Sequence, residues 1–219
     1  MNIGMPDVLA RLQQTFGARL LYLGLQGSSR RGEVAETSEI DLVVLPDSVG
    51  LDGLGVYRSI VHAMPEGNKA CGFICGVEEL ALWSPHKLFG FARDTADNWG
   101  RLEDWLPPVT RADVRFEVGV NVSTLLHMLT PSYMYAEEKK ARVILKEAHK
   151  AAFFLMLVVQ HLDSGHYCGS RRKLLSRLGG TEREIIMAGL NFTGWLKEHS
   201  EREAFGMFLD WERRVLRNR

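Results

Sequence analysis

The sequence predicts an α+β fold: a mixed sheet with flanking helices, followed by an all-α helical bundle. Three observations lead there. Short apolar runs bounded by glycine and polar turn residues occur only in the first half of the chain. Helix-spaced apolar residues fill nearly all of the second half. The stiff, extended dipeptide Pro107-Pro108 stands between the two compositions. The expected domains are therefore residues 1–107 and 108–219. A chain of 219 residues with 46% hydrophobic and 25% charged side chains has ordinary globular proportions, which excludes disorder and fibrous repeats.

The elements follow in order. Residues 7–16 read as a helix capped by Asp7, with Val8, Leu9, Leu12 and Phe16 on one stripe. Residues 19–25 form a short apolar run suited to a buried strand, and residues 40–45 form a second. The stretch between them is polar and rich in Gly and Ser. Residues 54–64 are helix-periodic despite neighbouring glycines, and residues 69–75 read as a third strand. From Glu78 the pattern is helical but broken, and the polar residues 94–100 read as a loop. Helices are then predicted over 111–129, 141–162, 171–178, 181–197 and 202–216. Pro131, Ser164-Gly165 and Gly179-Gly180 punctuate them.

Charge and composition exclude several classes. Lys+Arg and Asp+Glu each number 27, so the formal net charge is zero and no strong nucleic-acid signal is present. The longest apolar run, residues 151–159, is far short of the ~18 residues that cross a bilayer, so no membrane partner is expected. The first residues carry no basic or apolar leader. Cys71, Cys75 and Cys168 then suit reduced thiols in a cytoplasmic chain.

The chemistry concentrates in one segment, Leu25-Gln-Gly27-Ser28-Ser-Arg-Arg31-Gly-Glu, continuing to Glu39-Ile40-Asp41-Leu42. A strand runs into a Gly-Ser turn, where backbone N–H groups can approach a ligand with no Cβ in the way. The chain returns in a strand whose carboxylates at i and i+2, Glu39 and Asp41, share one face, while Ile40 and Leu42 point into the core. Two acids side by side repel unless a cation lies between them. Mg²⁺, whose oxygen shell is completed by water and phosphate, answers that need, with Mn²⁺ as the alternative ion. Either feature alone is usually a plain turn or a solvated strand edge; at this spacing, between two buried strands, they point together to phosphoryl or nucleotidyl transfer.

This run resembles the signature of the DNA polymerase β-like nucleotidyltransferase superfamily, in particular its minimal and antibiotic (kanamycin-type) branches. The resemblance implies that Gly27 and Ser28 bind the nucleotide phosphates and that Glu39 and Asp41 bind the metal. It also places Arg31 at a basic position able to contact a phosphate. It implies transfer of a nucleoside monophosphate from a triphosphate, ATP foremost, to a hydroxyl of a small molecule or a protein. The helical half would help to form the acceptor pocket, and His127, Thr130, Tyr133 and Glu147 offer polar groups there. A homodimer is compatible with this layout.

Two departures stand out: the first metal position is Glu39 where Asp is usual, and the third strand holds no acid, its site-facing positions falling to Gly72 and its alternates. Asp94 is the expected third catalytic carboxylate, with Glu78 and Glu79 also near in sequence. The alternative reading is a degenerate member that binds a nucleotide or a partner without turnover.

Other features have plainer readings. Cys71 and Cys75, with His62 and His86, approach a zinc-pair spacing but read as small buried hydrophobes. Arg142 and His149 match an arginine–histidine ribonuclease spacing that recurs by chance in charged helices. The basic run Arg171-Arg-Lys173 begins a helix, where cations oppose the dipole, and reads as solvated surface.

Overall fold

A computed structural model describes residues 4–33 and 39–218, apart from the side chains of Ser29, Pro85 and His86. The chain divides into two compact units, residues 1–109 and 110–219.

The first unit opens with α1 (Met5–Phe16), which has Pro6 in its first turn and buries Val8, Leu12 and Phe16. β1 (Leu20–Gln26) runs into a single helical turn, α2 (Gly27–Arg31). β2 (Ile40–Pro46) pairs antiparallel with β1. α3 (Leu51–His62) then carries the chain to β3 (Ala70–Ile74), which lies parallel to β2. A parallel neighbour needs such a crossover, because a tight turn would reverse the chain. α4 (Val77–Ala81) and α5 (Pro85–Arg93) lead to β4 (Thr95–Trp99), antiparallel to β1. The mixed sheet has the order β3-β2-β1-β4.

Both faces of β2 are buried. Ile40, Leu42 and Val44 pack with Val8, Leu12, Phe16 and Val61 of α1 and α3. Val43 and Leu45 turn the other way, towards Tyr22, Leu80 and Leu88. Each such side chain, fully removed from water, contributes roughly 1.5–3 kcal/mol. Beyond Asp41 the strand is covered on both faces, so residues 42–45 read as one continuous apolar run.

Residues 95–99, expected within a loop, form β4. Asp97 and Asn98 are poor strand formers, so local propensity gives no signal. Pairing with β1 and a hydrogen bond from the Tyr22 hydroxyl to Asp97 Oδ1, 2.8 Å, fix the strand instead. Burial, with Asp97 beside it, pushes the Tyr22 phenol well above its usual range. Gly24 leaves the space that this hydroxyl occupies.

The second unit is helical: α6 (Arg111–Tyr135), α7 (Glu138–Ser164), α8 (Arg171–Leu175), α9 (Gly180–Leu190), α10 (Phe192–Trp195) and α11 (Glu201–Arg217). α6 and α11 start with reciprocal capping boxes, Thr110 with Asp113 and Ser200 with Glu203. The apolar α7 lies at the centre against α6, α9 and α11.

Several helix bounds differ by two or three residues from expectation. α1 is among them: it starts at Met5, so Asp7 lies in its first turn and is not its cap. Two differences are larger. α6 continues past residue 129 and through Pro131, since the proline removes a single backbone donor and the flanking turns remain bonded. The segment 181–197 breaks at Asn191, whose side chain accepts from the Gly194 amide and starts α10 afresh. Among the described residues no helix is long and apolar enough to cross a membrane.

Candidate active site

The site forms at one end of the sheet in the first unit. Antiparallel pairing sets Gln26, the last residue of β1, opposite Asp41 near the start of β2. β3 places Cys71 opposite Asp41 on the far side, and β4 places Thr95 opposite Gln26. A row Cys71–Asp41–Gln26–Thr95 thus crosses all four strands. Alternation puts the Asp41 side chain on the face of Val43 and Leu45, and Glu39, two residues earlier, on that face as well.

Glu39, Asp41 and Cys71 each present one ligand atom within 4.8 Å of the others. Asp41 is half-buried, while Glu39 and Cys71 are exposed. The expected carboxylate pair is therefore assembled, and its third member is a thiol. The strand position facing the site is Cys71, where Gly72 had been expected. Gly72 pairs with Leu42 one step along, and a Cβ there would strike the Leu42 backbone. Two carboxylates are a fitting donor set for a hard divalent ion.

Gly27 is held against this pair. Its φ is 72°, in the left-handed region, and a Cβ built on it would run into the Asp41 carboxylate. Glycine is needed there twice, for the turn and for the close approach. Ser28 follows, half-buried, and its carbonyl accepts from the Glu33 amide at 3.0 Å. Residues 34–38, which complete the expected motif, lie outside the described residues.

Arg31 and Asp94 meet each other. The guanidinium donates to Asp94 Oδ2 at 2.5 Å and to Glu33 Oε2 at 3.2 Å. The Arg31 and Asp94 side chains are both about 9% exposed. Burial raises the Asp94 pKa above the usual carboxylate range, while the Arg31 bond and charge, with Arg30 and the Gly27 amide, pull it back. Nearby, the Gln26 side-chain amide donates to Thr95 Oγ1 at 3.2 Å, and the Thr95 hydroxyl donates to the Phe91 carbonyl at 2.6 Å. These bonds tie the strand ends to α2 and α5. Asp94, Glu78 and Glu79 all lie outside the three-residue ligand group.

The remaining candidates separate. Cys75 is half-buried, with its thiol pushed up to about 11 chiefly by burial, and stands outside the ligand group. In the second unit His127, Thr130, Tyr133 and Glu147 are exposed. Tyr133 accepts a hydrogen bond from Arg202 at 3.0 Å and lines a cavity of about 570 Å³ with Ser132, Arg142, His199 and Glu201. Arg142 is bound to Glu138 and Glu201 at the surface. His149 is buried, its Nδ1 donating to the Ile185 carbonyl, and desolvation lowers its pKa to about 4. A neutral core histidine and a surface arginine do not make a ribonuclease pair. Ser170 caps α8, and Arg171 lies over the Phe153 ring at 4.6 Å.

Sequence reasoning missed Cys71 and Gln26. Their signal lies in strand register, which the β2–β3 and β1–β2 pairings reveal and the local sequence does not.

With this geometry in view, the architecture, a four-stranded mixed sheet followed by a helical part, is one that a solved protein shares. The chain is similar to the spectinomycin adenyltransferase AAD(9) from Enterococcus faecialis, whose crystal structure was determined with ATP and spectinomycin. The two share 13% sequence identity and a TM-score of 0.60, over 97% of this chain and 98% of that one. No family model matches the sequence, and no curated protein matches it.

Proposed function

We propose that the chain is a nucleotidyltransferase that moves a nucleoside monophosphate from ATP or another triphosphate to a hydroxyl of a small molecule or a protein, with release of pyrophosphate. The observation that carries this reading is the Gly27 backbone pressed against the Asp41 carboxylate, with Glu39 alongside. A phosphate turn and a metal-binding pair are useful to phosphoryl chemistry only when adjacent, because the ion must touch protein and phosphate oxygens together. The similar fold of an adenyltransferase supports the same reading.

Glu39 and Asp41 would hold the divalent ion. When bound, it supplies Lewis-acid polarisation of the α-phosphate and neutralises developing charge. The Gly27 backbone and the Ser28 hydroxyl hold the triphosphate oxygens and keep the α-phosphate in line with the acceptor. Arg31 fixes α2 behind that turn by its bonds to Asp94 and Glu33, and its charge adds to the local field on the phosphates. Asp94 is thereby a positioning residue acting through Arg31.

A second reading, nucleotide binding without turnover, draws on one observation: among the described residues no third carboxylate joins the ligand group.

The test is Asp41→Asn. Calorimetric titration should show ATP binding in the presence of Mg²⁺ for the unaltered chain and at least tenfold weaker binding for the variant. Equal affinities would overturn the assignment. Incorporation of label from α-labelled ATP into a panel of hydroxyl acceptors separates transfer from silent binding.

A further inference from the structure

The donor set at the sheet end is mixed, and the sulfur is its distinctive member. Cys71 sits directly across from Asp41 in the parallel β2–β3 ladder. Its position is therefore set by backbone pairing and does not depend on a loop. Its Sγ, one Asp41 oxygen and one Glu39 oxygen all lie within 4.8 Å of one another. Mg²⁺ takes oxygen ligands and has no use for a thiol. Borderline-soft ions do: Zn²⁺ binds thiolate at about 2.3 Å and carboxylate at about 2.0–2.2 Å, in a tetrahedron that three protein ligands leave open at one corner.

Such bond lengths put neighbouring ligand atoms roughly 3.5 Å apart. The three atoms, within 4.8 Å of one another, stand at most about 1.3 Å wider than that. Glu39 and Cys71 are both exposed and free to turn inward, and Glu39 has a methylene more than aspartate with which to reach. The substitution that is awkward for an octahedral magnesium site is thus an asset for a tetrahedral one.

We propose that Cys71 makes the Glu39–Asp41 pair a site for a thiophilic divalent cation of the Zn²⁺ class, which competes with Mg²⁺ for the same carboxylates and so restrains the reaction. The inference rests on the functional reading above in taking Glu39 and Asp41 as metal ligands. As the metal–sulfur bond forms, the thiol proton passes to solvent. The fourth corner is left for water or a phosphate oxygen.

The experiment uses Co²⁺ as a spectroscopic probe on the full chain. Titration should raise a near-ultraviolet sulfur-to-cobalt charge-transfer band, and added Zn²⁺ should abolish it stoichiometrically. Cys71→Ser should remove the band and weaken Zn²⁺ binding at least tenfold, whereas Cys75→Ser should leave both in place. Circular dichroism of each variant checks that the fold is retained. A band that survives Cys71→Ser, or an unchanged Zn²⁺ affinity in that variant, overturns the proposal. Calorimetry with ATP and Mg²⁺ on the unaltered chain tells the two readings apart. Cobalt–sulfur binding without ATP binding supports the thiol-bearing site and overturns the nucleotide reading. ATP binding without the band overturns the present inference alone.

Discussion

Gly27 is the residue on which the candidate site turns, because two independent constraints meet there. An L-residue with a Cβ held at φ 72° costs roughly 1–2 kcal/mol. The same Cβ would also displace the Asp41 carboxylate. Gly27→Ala should therefore lower stability to urea by about that amount and weaken ATP–Mg²⁺ binding at least tenfold. Gly27→Asn separates the two effects, since asparagine tolerates the left-handed region but still carries a Cβ. It should recover part of the lost stability and none of the lost binding. Recovery of both would mean that the approach to Asp41 is unimportant. The residues of this site differ in how far the sequence discloses them. Glu39 and Asp41 are legible because a period of two needs no knowledge of neighbouring strands. Cys71 is not: a shift of one residue in strand pairing exchanges the faces of β3, and only the observed register sets Cys71, and not Gly72, beside Asp41.

At the level of elements, legibility follows burial. β2 declares itself because both its faces are covered, and α1 because its stripe of Val8, Leu12 and Phe16 has helical spacing. β4 is silent because its sequence, Thr-Ala-Asp-Asn-Trp, is that of a loop until β1 is alongside. Its anchor is Asp97, which accepts from the Tyr22 hydroxyl and from the Leu102 amide at 3.3 Å. Tyr22 is fully buried, so removing its acceptor strands a hydroxyl in the core. Asp97→Ala should cost about 1–3 kcal/mol in chemical denaturation. Adding Tyr22→Phe should restore part of that loss, because the orphaned hydroxyl is then gone. A double variant no more stable than Asp97→Ala would refute this anchoring. The helix breaks at Asn191 and the passage through Pro131 escape apolar periodicity for a related reason. Each depends on where a few backbone donors find partners, which spacing does not record.

At the scale of the whole molecule, two buried groups of the second unit make stability depend on pH in opposite directions. Glu212 is fully buried, neither oxygen has a partner, and desolvation raises its pKa from 4.5 to about 8. Its contribution to stability is intact below about pH 4.5 and is lost as pH rises towards 8, by up to about 1.4 kcal/mol per unit. His149 has its pKa lowered from 6.5 to about 4, so its contribution is intact above 6.5 and is lost as pH falls towards 4. Between pH 4.5 and 6.5 the two slopes offset each other. From 6.5 to 8 the Glu212 slope remains without the opposing His149 slope. Denaturation curves across that range should show stability falling in the unaltered chain and nearly level in Glu212→Gln. Parallel curves would show that this carboxyl is ionised in the fold. The division into two units also bears on how the protein is made. Every residue of the candidate site lies between positions 26 and 95, inside a unit compact on its own contacts. At ~5–20 residues per second, a ribosome needs roughly 5–20 s to add the helical unit. For that interval the growing chain carries both carboxylates, the Gly27 turn and the exposed Cys71 thiol, open to nucleotide, metal and oxidant before its second half exists.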